Sequence, residues 1–135
     1  MPEQQPVAVA PLVVPLASVD GWTLEGTALD GRIATADRRE LTALLHCVSL
    51  RVRTPWTYER AAELLEANGQ LGQALAATEA WFTLPEDVWR SHAGQTRMLD
   101  RRRQRLRSIL HAQVAEAAAR AARERAERAE RYRQR

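Results

Sequence analysis

Residues 96–135 contain neither glycine nor proline. No other feature of the chain restricts its fold as strongly. Without a breaker, a stretch rich in Ala, Arg and Glu favours one continuous helix. At 1.5 Å per residue such a helix reaches on the order of 60 Å. Met98, Leu99, Leu106, Ile109, Leu110 and Val114 give its first half an apolar edge. Beyond Val114 the edge is alanine only, at Ala115, Ala118, Ala122, Ala126 and Ala129. The first half is therefore expected to dock on the rest of the chain, and the second to project into solvent or onto a partner. Acid-before-base pairs Glu116–Arg120, Glu124–Arg128 and Glu127–Arg131 stand at the i,i+4 spacing that supports an exposed helix.

The same stretch carries the charge. Residues 1–100 hold 8 Arg and 13 acids, a balance of −5, whereas residues 101–135 hold 12 Arg and 4 acids, a balance of +8. A basic tail on an acidic body suggests an anionic partner. All 20 basic residues are Arg. The absence of Lys excludes Schiff-base chemistry and a P-loop, both of which need that residue. One Cys and three His exclude a multi-cysteine zinc module or a disulfide framework. No cofactor is expected.

Residues 1–19 are apolar and spaced by Pro2, Pro6, Pro11 and Pro15. Proline denies helix, so an extended arm is expected. Val9, Leu12, Val13, Val14 and Leu16 are its candidate protein-contact residues. Such an arm needs cover, from its own body or from another chain. Its start lacks the positive charge of a secretory signal, and the apolar run of residues 7–17 is too short and too interrupted by proline to span a bilayer. A cytoplasmic setting is the expectation.

Residues 20–95 read as a mainly helical body. The turn dipeptides Asp20-Gly21 and Asp30-Gly31 suggest a short β-hairpin over residues 22–24 and 32–34. A calcium loop centred on Asp30-Gly31 is rejected, because Gly26 and Ala28 would stand where oxygen ligands are required. A first helix is expected over residues 36–47, with Thr35 as N-cap and Leu41, Leu44, Leu45 and Val48 as the buried stripe. Residues 48–53 alternate as a short strand would, or form the frayed end of that helix. Thr54-Pro55 ends the element. A second helix is expected over residues 57–67, with Tyr58, Ala61, Ala62 and Leu65 inward and Gly69 as left-handed stop. A third is expected over residues 71–82, with Leu71, Ala74, Leu75, Thr78, Trp81 and Phe82 as its stripe. Pro85 opens a short helical turn.

Residues 63–85, ELLEANGQLGQALAATEAWFTLP, carry Leu64-Leu65, Gly69, Leu71, Ala74-Leu75 and a closing Pro85. In these features the segment resembles one tetratricopeptide (TPR) helical hairpin. The resemblance implies a helical hairpin and a bias towards protein–protein contact, without catalysis. No second copy follows, and no binding residues carry over. The segment beginning TYERAAELL also resembles the opening of small DNA-binding domains. No basic residue stands between Arg60 and Arg90, however, so a recognition helix there would lack donors for phosphate.

Catalytic constellations are thin. His92 lies beside Ser91, Asp87 and Glu86 with no nucleophile motif around it, and reads as a solvated or capping residue. Neighbouring residues His46 and Cys47 point different ways on a helix and do not form a metal pair. Glu59, Glu63 and Glu66 read as a solvated face. The densest signal is Arg101, Arg102, Arg103, Arg105 and Arg107. Guanidinium forks suit phosphates and carboxylates. These arginines serve nucleic acid or an acidic partner, or they pair with the acidic body of their own chain.

The expected protein is thus mainly α. It has an extended arm (residues 1–19), a body built on a small helical-hairpin core (residues 20–95) and a long Arg/Ala/Glu helix (residues 96–135). The leading expectation is a non-enzymatic interaction or structural subunit of an assembly, contacting a protein partner or itself through the arm and the basic helix. The alternative is sequence-nonspecific nucleic-acid binding through the same helix. No small-molecule substrate and no membrane span are expected.

Overall fold

The computed structural model describes residues 32–135. Among these, the helices run in the order α1 (Thr35–Ser49), α2 (Pro55–Ala67), α3 (Leu71–Trp81), α4 (Glu86–Ser91) and α5 (Ala93–Arg133). The arm of residues 1–19 lies outside the described residues, and so does the first strand of the expected hairpin. The hairpin is not seen. Residues 32–34 form a turn and bend leading into α1. Their backbone is committed to the helix start, since the Ala34 carbonyl accepts the amide of Arg38 at 2.8 Å, and Ile33 is buried in the core. Ala34, not Thr35, is therefore the N-cap.

Each helix buries the stripe that its spacing dictates. Leu41, Leu44, Leu45 and Val48 of α1 meet Tyr58, Ala61, Ala62 and Leu65 of α2 in one core. Ala74, Ala77 and Trp81 of α3 and Leu99 and Leu106 of α5 complete it. The small residues Ala61, Ala62, Ala74 and Ala77 are all fully buried, which allows close approach of the α2–α3 hairpin. Leu71, Leu75 and Phe82 pack only partly buried at its margin.

The chain reversals follow from backbone chemistry. After α2, Gly69 sits at φ 75°, the left-handed region that costs glycine nothing. The Gly69 amide donates to the Glu66 carbonyl at 2.9 Å and the Gln70 amide to the Leu65 carbonyl at 2.8 Å. These two bonds make a Schellman stop. Residues 48–53 close α1 in the same way, not as a strand. Arg51 donates to Val48 at 2.9 Å and Val52 to Cys47 at 3.3 Å. Here the left-handed position, φ 54°, is held by an arginine. α2 starts two residues earlier than expected, because Pro55 supplies the ready-made φ of a first helical turn.

Tyr58 ties these elements together. Its hydroxyl donates to the Val52 carbonyl at 2.8 Å, and its ring meets Trp81 edge-on at 5.4 Å between centroids. Burial pushes the phenol up from its ordinary 10.0 to about 12; the Arg51 charge opposes this weakly. A raised phenol favours the neutral form, so its contribution is full below pH 10 and is lost as pH climbs from 10 to 12. That contribution is roughly 2–3 kcal/mol. In alkaline titrations followed by circular dichroism, wild type should lose stability across that window, and Tyr58→Phe should show a flatter profile.

Candidate interaction surface on the long helix

α5 is a single helix from Ala93 to Arg133, beginning three residues before the expected start. Its origin is built by three side chains. The Trp81 indole donates to Thr96 Oγ1 at 3.1 Å, and Thr96 Oγ1 donates to the Trp89 carbonyl at 2.9 Å. The Trp89 indole donates to the Trp81 carbonyl at 3.0 Å. His92 caps the junction: its carbonyl accepts the Thr96 amide at 2.8 Å, and its ring lies edge-on to Trp81 at 5.9 Å. This half-buried histidine is the single residue that joins α4 to α5.

The docked half of α5 runs to about Leu110. Leu99 and Leu106 are fully buried, and Ile109 and Leu110 are half-buried. Met98 and Val114, expected on the same edge, are exposed. Met98 is turned about 100° from Leu99 around the helix axis. Val114 lies past the last half-buried residues of the docked half.

The five candidate arginines fan out around this docked half, and most bind their own chain. Arg102 Nη1 reaches Glu66 Oε2 at 3.0 Å, and both side chains are only 19% exposed. Arg105 takes the other oxygen of Glu66. Arg107 Nε donates to Glu79 at 2.8 Å. Arg103 pairs with Asp100 and lays its guanidinium 3.8 Å from the centre of the Phe82 ring. Arg101 is exposed and makes no ion pair among the described residues. Glu66 is thus not part of a solvated face: one carboxylate on α2 holds two arginines of α5. Glu63 is held by Arg60, which also pairs with Glu40 across α1 and α2. That contact keeps the Glu40 carboxyl below its ordinary range, chiefly through the hydrogen bond from Arg60, and raises Arg60.

Residues 111–135 touch little. All are exposed except Ala121, which is intermediate. Their seven arginines and four glutamates are interleaved. The expected pairs Glu116–Arg120, Glu124–Arg128 and Glu127–Arg131 are not within ion-pair distance; Arg133 and Glu130 stand at 3.8 Å.

The arm residues Val9, Leu12, Val13, Val14 and Leu16 lie outside the described residues. Among the described residues no group of three or more His, Cys, Asp or Glu is placed to hold a metal ion. No described helix is long and apolar enough to cross a membrane. No protein-family model, curated protein or solved structure matches the chain.

Proposed function

We propose that the chain is a non-enzymatic interaction or structural subunit of a larger assembly, with residues 111–135 of α5 as its contact element. The observation that supports this reading is the division of one helix into two halves. The first half is held by Leu99, Leu106 and ion pairs to Glu66 and Glu79. The second continues for about 35 Å without cover. Extending an unpartnered helix costs backbone entropy that tertiary packing normally offsets. The α2–α3 hairpin, with its resemblance to a single TPR unit, favours the same class of role.

Nucleic-acid binding is the second reading. Arg102, Arg103, Arg105 and Arg107 are engaged with carboxylates of their own chain, so phosphate contact falls to the projecting half. There, seven arginines among four glutamates favour it through a net charge of +3. Sedimentation of the full chain and of a chain ending at Leu110 decides between the two. The full chain is expected to self-associate or to co-sediment with a protein partner, and the shortened one to remain monomeric. Equal behaviour of the two, with salt-sensitive retention of nucleic acid by the full chain alone, overturns the first reading in favour of the second.

A further inference from the structure

An exposed patch at the corner between α1 and α2 takes no part in the ion pairs described above. Residues 41–58 contain no acid, and within them Leu50, Arg51, Arg53 and Trp56 are all exposed. Leu50 is 64% exposed and Trp56 58%, and two large apolar side chains left open on one short stretch mark a contact surface. Neither Arg51 nor Arg53 makes an ion pair among the described residues. The corner is held in one shape. Val52, between the two arginines, packs against the core, and its carbonyl accepts the Tyr58 hydroxyl at 2.8 Å. Pro55, Thr57 and Tyr58 are buried, which leaves the Trp56 indole facing outward. Arg51 is the informative residue. Its backbone is left-handed, at φ 54°, a conformation that strains an ordinary side chain and suits glycine. An arginine kept there, with no ion pair to its own body, points to a use for its guanidinium outside the fold.

We propose that this corner binds single-stranded nucleic acid. Trp56 offers its indole face as a platform for one base, and Arg51 and Arg53 take the flanking phosphates. Every base has a face to stack, so the site requires no particular sequence. A single strand is favoured over a duplex because its bases are open to the ring. Charge is complementary. The corner adds two unpaired cations to a chain that is positive as a whole, at +3. A partner of uniform negative charge suits a stretch without carboxylates better than a protein surface of mixed charge does. Glu59, one turn beyond Trp56, marks where the site ends. The long helix cannot supply the same contact, since residues 93–131 contain no aromatic side chain. The corner is therefore separate from the nucleic-acid reading of the projecting half, which rests on charge alone.

The test titrates the full chain into a labelled oligothymidylate and into a duplex of the same length, followed by fluorescence anisotropy at several salt concentrations. Wild type is expected to prefer the single strand. Trp56→Leu, which keeps an apolar side chain but removes the ring, should weaken single-strand binding about tenfold and leave duplex binding unchanged. Trp56→Phe should restore most of the loss. Arg51→Gly places the usual residue in the left-handed position, so the thermal midpoint should hold. It should nevertheless weaken single-strand binding severalfold and reduce the slope of log affinity against log salt by about 0.7. No binding of the oligothymidylate overturns the proposal. Equal affinity for strand and duplex, indifferent to Trp56→Leu, also overturns it and leaves phosphate contact to the projecting half. Binding of polyglutamate or of phosphatidylserine vesicles as tight as that of the strand, and equally weakened by Trp56→Leu, overturns it in favour of an acidic protein or a lipid surface. The Trp56 variants leave residues 111–135 untouched, so this proposal and both readings of the projecting half fail separately.

Discussion

Trp81→Ala is expected to cost about 3–5 kcal/mol in urea denaturation, the largest loss of any single truncation among the described residues. Trp81 is fully buried and is the largest side chain in the core. Its removal opens a cavity between Tyr58 on α2 and His92 at the start of α5. It also takes away the donor that fixes Thr96. Domains of this size have stabilities of about 5–15 kcal/mol, so the variant should be close to the edge of folding. Thr96→Val serves as control. It keeps the volume but removes the hydroxyl that links Trp81 to the Trp89 carbonyl. Leaving the Trp81 indole N–H unmet, and the Trp89 carbonyl with the His92 amide alone, should cost about 1–3 kcal/mol. If Thr96→Val proved as damaging as Trp81→Ala, the hydrogen-bonded junction, not the packed ring, would be what holds α5 to the body.

Glu66→Ala is expected to lower stability by about 3 kcal/mol, because it leaves Arg102 charged, largely covered and unpaired. Arg105, half exposed, is screened by water and contributes less. The loss should largely disappear in the double variant Glu66→Ala/Arg102→Met, where no uncompensated charge remains. It should also persist at high salt, since covered pairs are screened weakly. The exposed pair Arg90–Glu86 makes a useful contrast, with Glu86→Ala expected to be close to neutral. A double-variant cycle that showed no coupling between Glu66 and Arg102 would refute the pairing as an energetic contact.

Both predictions concern contacts that periodicity does not reveal. The helical stripes were legible because core burial imposes a spacing of three and four on Leu41, Leu44, Leu45 and Val48, and on Tyr58, Ala61, Ala62 and Leu65. Gly69 was legible because one residue type suits a left-handed stop. Arg102 and Glu66, by contrast, stand 36 residues apart, and their meeting depends on how α5 crosses the hairpin. Charge counting showed that a basic helix and an acidic body shared one chain; it did not single out Glu66 from Glu59 and Glu63. The origin of α5 was misplaced by three residues because Ala93 and Gly94 lack side chains that signal a helix start. The signal lay instead in Trp81, Trp89 and Thr96, which converge only in the folded chain. Arg51 in the left-handed position, where glycine is usual, explains why the sequence leaves residues 48–53 open between a short strand and a helix end.

The anchoring of α5 at one end also makes it a lever. The fulcrum is the ring of Trp81, Trp89 and Thr96 together with the Glu66 clamp, and the free arm extends about 35 Å beyond Leu110. A tilt of about 10° at the fulcrum displaces the far end by about 6 Å, roughly one helical pitch. Whatever grips the tip therefore feels the orientation of the body amplified into a sideways displacement several times larger than the movement at Thr96.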